Sequence, residues 1–88
     1  MERPSGQHPS LSVSSTIVLG ACSEFPAANS SSIIGKLYPL PDERTLFRQR
    51  LVDGATGLGF KLTQGQVPTN DATTLGDVMD AVCQNAVS

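Results

Sequence analysis

Residues 74–83, TLGDVMDAVC, carry the clearest structural pattern in this 88-residue chain. Thr74 is suited to cap a helix, and the side chain of Asp77 can reach back to the Thr74 backbone in a capping box. Because a helix this short is not stable alone in water, we expect its apolar face to pack against another element. That face has the three- and four-residue spacing of an amphipathic helix and consists of Leu75, Val78, Met79, Val82 and Cys83.

A second amphipathic helix is predicted over residues 43–55, with Asp42 as its N-cap. Phe47, Leu51 and Ala55 recur at four-residue intervals, and Gly57 favours an end to the helix soon afterwards. We expect the two helices to pack through Leu46, Phe47, Leu51, Leu58, Val78, Met79 and Val82. The polar loop of residues 63–73, which connects them, is predicted to turn Val67 inward.

The N-terminal half is predicted to be extended or weakly ordered. Residues 1–10 resemble a disordered tail, residues 11–21 a short strand and residues 23–32 a linker. We therefore divide the chain into an extended segment, residues 1–41, and a small helical domain, residues 42–88. This predicts a mostly α fold, with a small α+β fold as the alternative.

Few large apolar side chains are available to order this N-terminal segment. Fixing the backbone of one residue costs about 1–2 kcal/mol, whereas burying one apolar side chain returns about 1.5–3 kcal/mol. We therefore expect residues 1–41 to become fixed only on a partner surface. The available anchors are Ile17, Val18, Leu19, Ile33, Ile34, Leu37 and Tyr38.

Composition argues against several classes of function. A net charge of −2 with six Lys plus Arg does not favour a free-standing nucleic-acid-binding protein. The single histidine, His8, lies in the predicted tail, so no serine has a base nearby and no zinc site is indicated. Cys22 and Cys83 could pair in an oxidising compartment, but Cys83 is better interpreted as a small buried apolar residue. We predict no catalytic residue, no metal ligand and no cofactor.

Residues 19–22, LGAC, resemble the lipobox of bacterial lipoproteins, in which the cysteine is lipidated after cleavage. A secreted or lipid-anchored protein processed at Cys22 is therefore an alternative. The four serines and one threonine of residues 10–18 are unusual for the apolar region of a signal peptide. No run of the chain approaches the ~20 apolar residues of a membrane span.

The second half of the chain resembles acyl carrier proteins. A helix ending at residues 58–59 (Leu-Gly) is followed by an aliphatic segment, a proline-containing loop and a closing helix that starts at residues 74–77 (Thr-Leu-Gly-Asp). In carrier proteins the earlier helix opens with Asp-Ser-Leu, whose serine carries phosphopantetheine. The counterpart here is residues 44–46 (Arg-Thr-Leu), without the serine. The resemblance implies a carrier-like fold over residues 46–82 with no prosthetic group.

A family of structural proteins of the mitochondrial large ribosomal subunit is similar in the same way, because it keeps a carrier-like fold without that serine. This resemblance implies a place in the mitochondrial ribosome. The similar positions are Asp42, Leu46, Phe47, Leu58, Gly59, Val67, Pro68, Asp77 and Val78.

The sequence favours a non-catalytic, intracellular subunit that protein partners hold in a larger assembly. A degenerate acyl carrier protein and the lipid-anchored protein remain alternatives. The candidate partner-binding residues are Ile33, Ile34, Leu37, Tyr38, Arg44 and Arg48.

Overall fold

Helices make up most of the structure, a computed structural model that describes residues 7–88. Four α-helices follow in order: α1 (Leu11–Ala21), α2 (Ile34–Leu37), α3 (Pro41–Gly57) and α4 (Leu75–Asn85). A 3-10 turn, Gln64–Gln66, lies between α3 and α4. Within residues 7–88 there is no strand, only isolated bridges, so the predicted mostly α fold is confirmed and the α+β alternative is not.

Helix α4 has the predicted cap and the predicted buried face. The Asp77 amide donates to Thr74 Oγ1 and the Thr74 amide donates to Asp77 Oδ2, each at 3.1 Å, which completes the capping box. Cys83 is only half-buried, and its thiol donates to the carbonyl of Pro9. The side chains that enter the core are Leu75, Val78, Met79 and Val82.

Helix α3 is longer than predicted and buries a narrower face. Phe47, Leu51 and Ala55 are fully buried, as their four-residue spacing predicts. Leu46 and Leu58 were expected in the same interface, but they are 52% and 57% exposed. Leu46 lies about 100° around the helix from Phe47, which turns it to solvent. Leu58 lies beyond the last residue of the helix, where the chain already turns.

Helix α1 corrects the prediction of a strand over residues 11–21. Ser10 caps it by accepting a hydrogen bond from the Val13 amide at 3.2 Å. The helix packs on both α3 and α4. Its buried residues follow i, i+3, i+4 and i+7 spacing, which is that of a helix face: Ser14, Ile17, Val18 and Ala21.

The predicted extended segment is therefore wrong in its conformation over α1 and α2. Ile17, Val18 and Ile34 share one core with Phe47 and Val78. Small side chains also pack in this half, among them Ala21 and Cys22, and their burial adds to that of the large apolar anchors. Whether a partner adds further order to this half remains a prediction.

The predicted tail, residues 1–10, lies partly outside the described residues, which begin at Gln7. Residues 7–9, which the structure describes, contact the rest of the protein. The Ser88 amide donates to the carbonyl of Gln7 at 2.9 Å, His8 Nδ1 lies 2.9 Å from the carbonyl of Ala86, and Pro9 is buried. These contacts hold residues 7–9 against the end of α4.

The loops are tied to the helices by main-chain hydrogen bonds. The amides of Leu75 and Gly76 donate to the carbonyls of Ser32 and Ser30, each at 2.8 Å, and join the segment before α2 to the start of α4. Gly35 lies against the backbone of Asp71, where a Cβ atom would come within 2.6 Å of the Asp71 carbonyl oxygen. In the predicted polar loop, Val67 is 5% exposed, so the predicted inward anchor is confirmed.

Candidate functional site

A shallow apolar groove lies between the turns that follow α1 and the short helix α2, with a cavity of about 350 Å³. After α1 the chain makes successive turns, in which the Phe25 amide donates to the Cys22 carbonyl and the Ala28 amide to the Phe25 carbonyl. These turns form one wall, and Leu37 of α2 forms the other. We name this surface the α1–α2 groove, which is lined by Glu24, Phe25, Pro26, Ala27, Ala28, Ser32 and Leu37.

Glu24 connects the rim of the groove to α3. Its Oε1 accepts a hydrogen bond from the Tyr38 hydroxyl at 2.7 Å, and its Oε2 accepts one from Arg50 Nη1 at 2.8 Å. The hydrogen bond from Arg50, and after it that from Tyr38, lowers the pKa of the Glu24 carboxyl. The Glu24 and Arg50 side chains are 42% and 40% exposed, so solvent screens their ion pair and it contributes little to stability.

Tyr38 anchors the groove to the core. It is 4% exposed, and its ring stacks on Phe47 with centroids 5.1 Å apart. Phe25 meets the same ring edge-on at 5.5 Å. Burial, and then the hydrogen bond to Glu24, raises the pKa of the Tyr38 hydroxyl well above its usual value. The aromatic contacts therefore fix Phe25, a wall of the groove, relative to α3.

The two candidate arginines of α3 lie together on another part of the surface. Arg44 donates from Nε to the Tyr38 carbonyl at 2.7 Å and from Nη2 to Asp71 Oδ1 at 2.5 Å. Arg48 donates from Nη1 to the hydroxyl of Thr69 and from Nη2 to that of Thr45. Both guanidinium groups therefore hold the loop before α4 against α3.

Thr45 is the residue that the sequence resemblance would pair with the prosthetic-group serine of carrier proteins. Its hydroxyl donates to the Pro41 carbonyl at 3.1 Å and accepts the hydrogen bond from Arg48. The Thr45 hydroxyl is thus part of the local hydrogen bonding of α3.

The six predicted partner-binding residues do not form one surface. Ile34 and Tyr38 are buried in the protein's own core, at 0% and 4% exposure, so their side chains face the interior. Ile33 and Leu37 are half-buried, and only Leu37 lines the groove. Arg44 and Arg48 belong to the separate loop contact.

Glu24 and Phe25 are functional-site residues that the sequence pattern does not indicate, because residues 23–32 have the composition of a linker. Both residues gain their roles from side chains that are distant in the sequence: Arg50 for Glu24, and Tyr38 for Phe25. The one available signal was an acidic and an aromatic residue side by side in an otherwise small and polar segment.

Cys22 is buried and Cys83 is half-buried, and both are free thiols. Burial, with the nearby Glu24 charge, raises the pKa of the Cys22 thiol, which disfavours the reactive thiolate. Among residues 7–88, no group of three or more His, Cys, Asp and Glu side chains is placed to hold a metal ion. No helix in the same part of the chain is long and apolar enough to cross a membrane.

Comparison of this chain with protein-family models, curated proteins and solved structures found no match.

Proposed function

We propose that this protein is a non-catalytic interaction module that binds a protein partner as a subunit of a larger assembly. The observation that carries the proposal is the α1–α2 groove, where Phe25, Ala28 and Leu37 are only partly covered. Apolar surface of this kind gains free energy when a partner removes it from water. The groove is bordered by the Glu24–Arg50 pair, which supplies the polar rim typical of protein interfaces.

The partner is expected to cover more than the groove. A stable interface buries on the order of 1,200–2,000 Å² in total, which exceeds what one small groove offers. Further apolar side chains are exposed at the start of α3, where Leu40 and Leu46 are 60% and 52% exposed. A partner that reaches both regions would remove most of this apolar surface from water.

The finer form of the proposal follows from the carrier resemblance. Helix α3, the segment with Phe60 and Leu62, the loop and the capped helix α4 follow one another in the order on which the resemblance rests. The Thr45 hydroxyl is engaged within α3, which supports an interaction role over that of a carrier. The assembly to examine first is accordingly the mitochondrial large ribosomal subunit.

Processing at Cys22, as in the lipid-anchored alternative, would remove α1. Ile17 and Val18, which are 6% and 0% exposed, would then be lost from the core. The contact of α1 with α3 and α4 would also be lost. This cost supports the interaction module over the lipid-anchored alternative.

The proposal is tested by quantitative affinity purification of the tagged chain from its native host. The test variant is Ala27→Arg, which places a long charged side chain on the groove at an exposed position. The control is Ala72→Arg, the same change at an exposed loop alanine outside the groove. We expect recovery of a defined partner to fall by about tenfold for Ala27→Arg only, as loss of a central interface contact predicts.

Equal recovery with both variants would contradict the groove as the binding site. The intact mass of the purified native protein gives an independent check. A phosphopantetheine adduct would replace the proposal with the carrier alternative, and a chain beginning at Cys22 would replace it with the lipid-anchored one.

A further inference from the structure

An open pocket of about 330 Å³ lies between α3 and the loop before α4, apart from the α1–α2 groove. Arg48 of α3 forms one side, and Gln64, Thr69 and Asn70 contribute polar groups to the other. Val67 and Pro68 supply an apolar wall. The pocket and the groove have no lining residue in common.

The pocket has a positive charge that its own lining does not neutralise. Within residues 7–88 the ion pairs are Arg44–Asp71 and Arg50–Glu24, so Arg48 has no carboxylate partner there. The hydrogen-bond partners of its guanidinium group are the neutral hydroxyls of Thr45 and Thr69. A guanidinium has five N–H donors, so several remain for a ligand.

The neutral groups beside Arg48 add further donors. The Thr69 hydroxyl accepts from Arg48, which leaves its own proton to be donated. Asn70 is exposed, and its carboxamide makes no hydrogen bond within the described chain, while no Asp or Glu lines the pocket. Donors that converge around one uncompensated cation match an anionic group.

We propose that this pocket binds a carboxylate, with the guanidinium of Arg48 as its ion-pair partner. A carboxylate carries one negative charge and accepts two parallel hydrogen bonds from a guanidinium. A phosphate monoester would carry about −1.5 to −2 and leave charge unmatched. The carboxylate of Asp71, which is next to Asn70 and 88% exposed, would repel the additional negative charge of a phosphate. Val67 and Pro68 fit a short alkyl portion of the ligand.

A carboxylate can come from a free short-chain acid or from the C-terminus of a peptide. The test is a titration followed by the amide NMR signals of Gly65, Thr69 and Asn70. The probes are butyrate, its neutral isostere butyramide, inorganic phosphate, and a tripeptide with either a free or an amidated C-terminus. Saturable shifts with butyrate and the free tripeptide, and none with their neutral counterparts, are expected. The tighter of these two ligands identifies the source.

The variant Arg48→Gln is expected to weaken carboxylate binding by at least about tenfold, because it removes a charge-assisted hydrogen bond. Lys36→Gln is the matched control, since it makes the same charge change at an exposed position outside the pocket. Asn70→Ala alters an exposed side chain, so the fold is not at risk, and it should weaken binding about threefold.

Equal chemical shift changes with butyrate and butyramide would overturn the assignment. So would carboxylate affinities of the Asn70→Ala and Arg48→Gln variants that both equal the affinity of the unaltered protein. Tighter binding of phosphate than of either carboxylate would also overturn it.

Discussion

The hydroxyl of Tyr38 donates a hydrogen bond of 2.7 Å to Glu24, which links the C-terminal end of α2 to the turns after α1. The Tyr38 ring is buried against Phe47, whereas Glu24 is exposed and also paired with Arg50. One residue of this pair therefore belongs to the core and the other to the rim of the groove. Through this hydrogen bond, the packing of Tyr38 in the core helps to position Glu24 at the rim of the proposed binding surface.

Ionisation of Tyr38 should require unfolding. Its pKa is raised in the folded protein, so its contribution to stability is complete below the usual tyrosine pKa of about 10 and is lost as the pH rises through the folded value. Because Tyr38 is the single tyrosine, the ultraviolet absorbance of tyrosinate reports on it alone. We expect this signal to appear together with alkaline loss of helical circular dichroism. Tyrosinate formation near pH 10 in a protein that is still helical would contradict the buried placement.

Glu24→Gln should make the protein slightly less stable at neutral pH. In acid the loss of stability caused by the substitution should be smaller. The lowered pKa of Glu24 gives stability that is present above the usual Glu pKa, about 4.3, and is lost as the pH falls through the folded value. Because solvent screens the exposed pair, the difference in stability at neutral pH should be small. Urea denaturation at a series of pH values measures it. Asp80→Asn makes the same change of charge at an exposed site on α4 that has no ion pair within residues 7–88. It serves as the control, and its stability at neutral pH should equal that of the unaltered protein.

Val78→Asp should unfold the protein, whereas Leu46→Asp should be tolerated. Val78 is fully buried, and an unpaired carboxylate there costs several kcal/mol, a large part of a total stability of about 5–15 kcal/mol. Leu46 is 52% exposed, so its change should stay within about 0.5 kcal/mol. Thermal denaturation of the two variants compares them directly. Similar losses of thermal midpoint would show that Leu46 is packed after all.

Gly35→Ala and Gly20→Ala should have opposite effects on stability. A Cβ atom at Gly35 would lie 2.6 Å from the backbone oxygen of Asp71, which forces α2 and the loop apart and costs about 1–3 kcal/mol. A Cβ atom at Gly20 meets nothing within 4 Å, so alanine there should stabilise α1 by up to about 1 kcal/mol. The free energy of unfolding in urea measures both changes. A destabilised Gly20→Ala protein would contradict the described path of α1.

Local patterns predicted α4 and α3 well. The Thr74 cap and the regular apolar face of α4 are properties of neighbouring residues, so they can be identified without the fold. The same reasoning placed Leu46 and Leu58 inside, because periodicity gives a face but not its width. What narrows the buried face of α3 is the geometry of its neighbours, which no local pattern contains.

Helix α1 could not be identified in this way, because its buried face includes Ser14 and its exposed face includes Leu11 and Leu19. With a polar residue on the buried face and apolar residues on the exposed face, the two faces of α1 differ little in hydrophobicity. A periodic apolar pattern is therefore not visible in the sequence. Ser14 is buried because its hydroxyl donates to the Met79 carbonyl of α4. The α1–α2 groove was missed for a related reason, since Glu24 and Phe25 are placed by Arg50 and Tyr38 across the fold.

The contact between α1 and α4 has a consequence for how the chain folds. Ser14 and Met79 are 65 positions apart in the sequence, so α1 cannot take its native place until α4 has been synthesised. Contacts of such long range are formed late and slow down folding, because the chain must close a large loop before it gains their free energy. Until then Ile17 and Val18 stay open to solvent on the growing chain. We expect chaperones to bind the nascent protein at α1, and release to follow the appearance of α4.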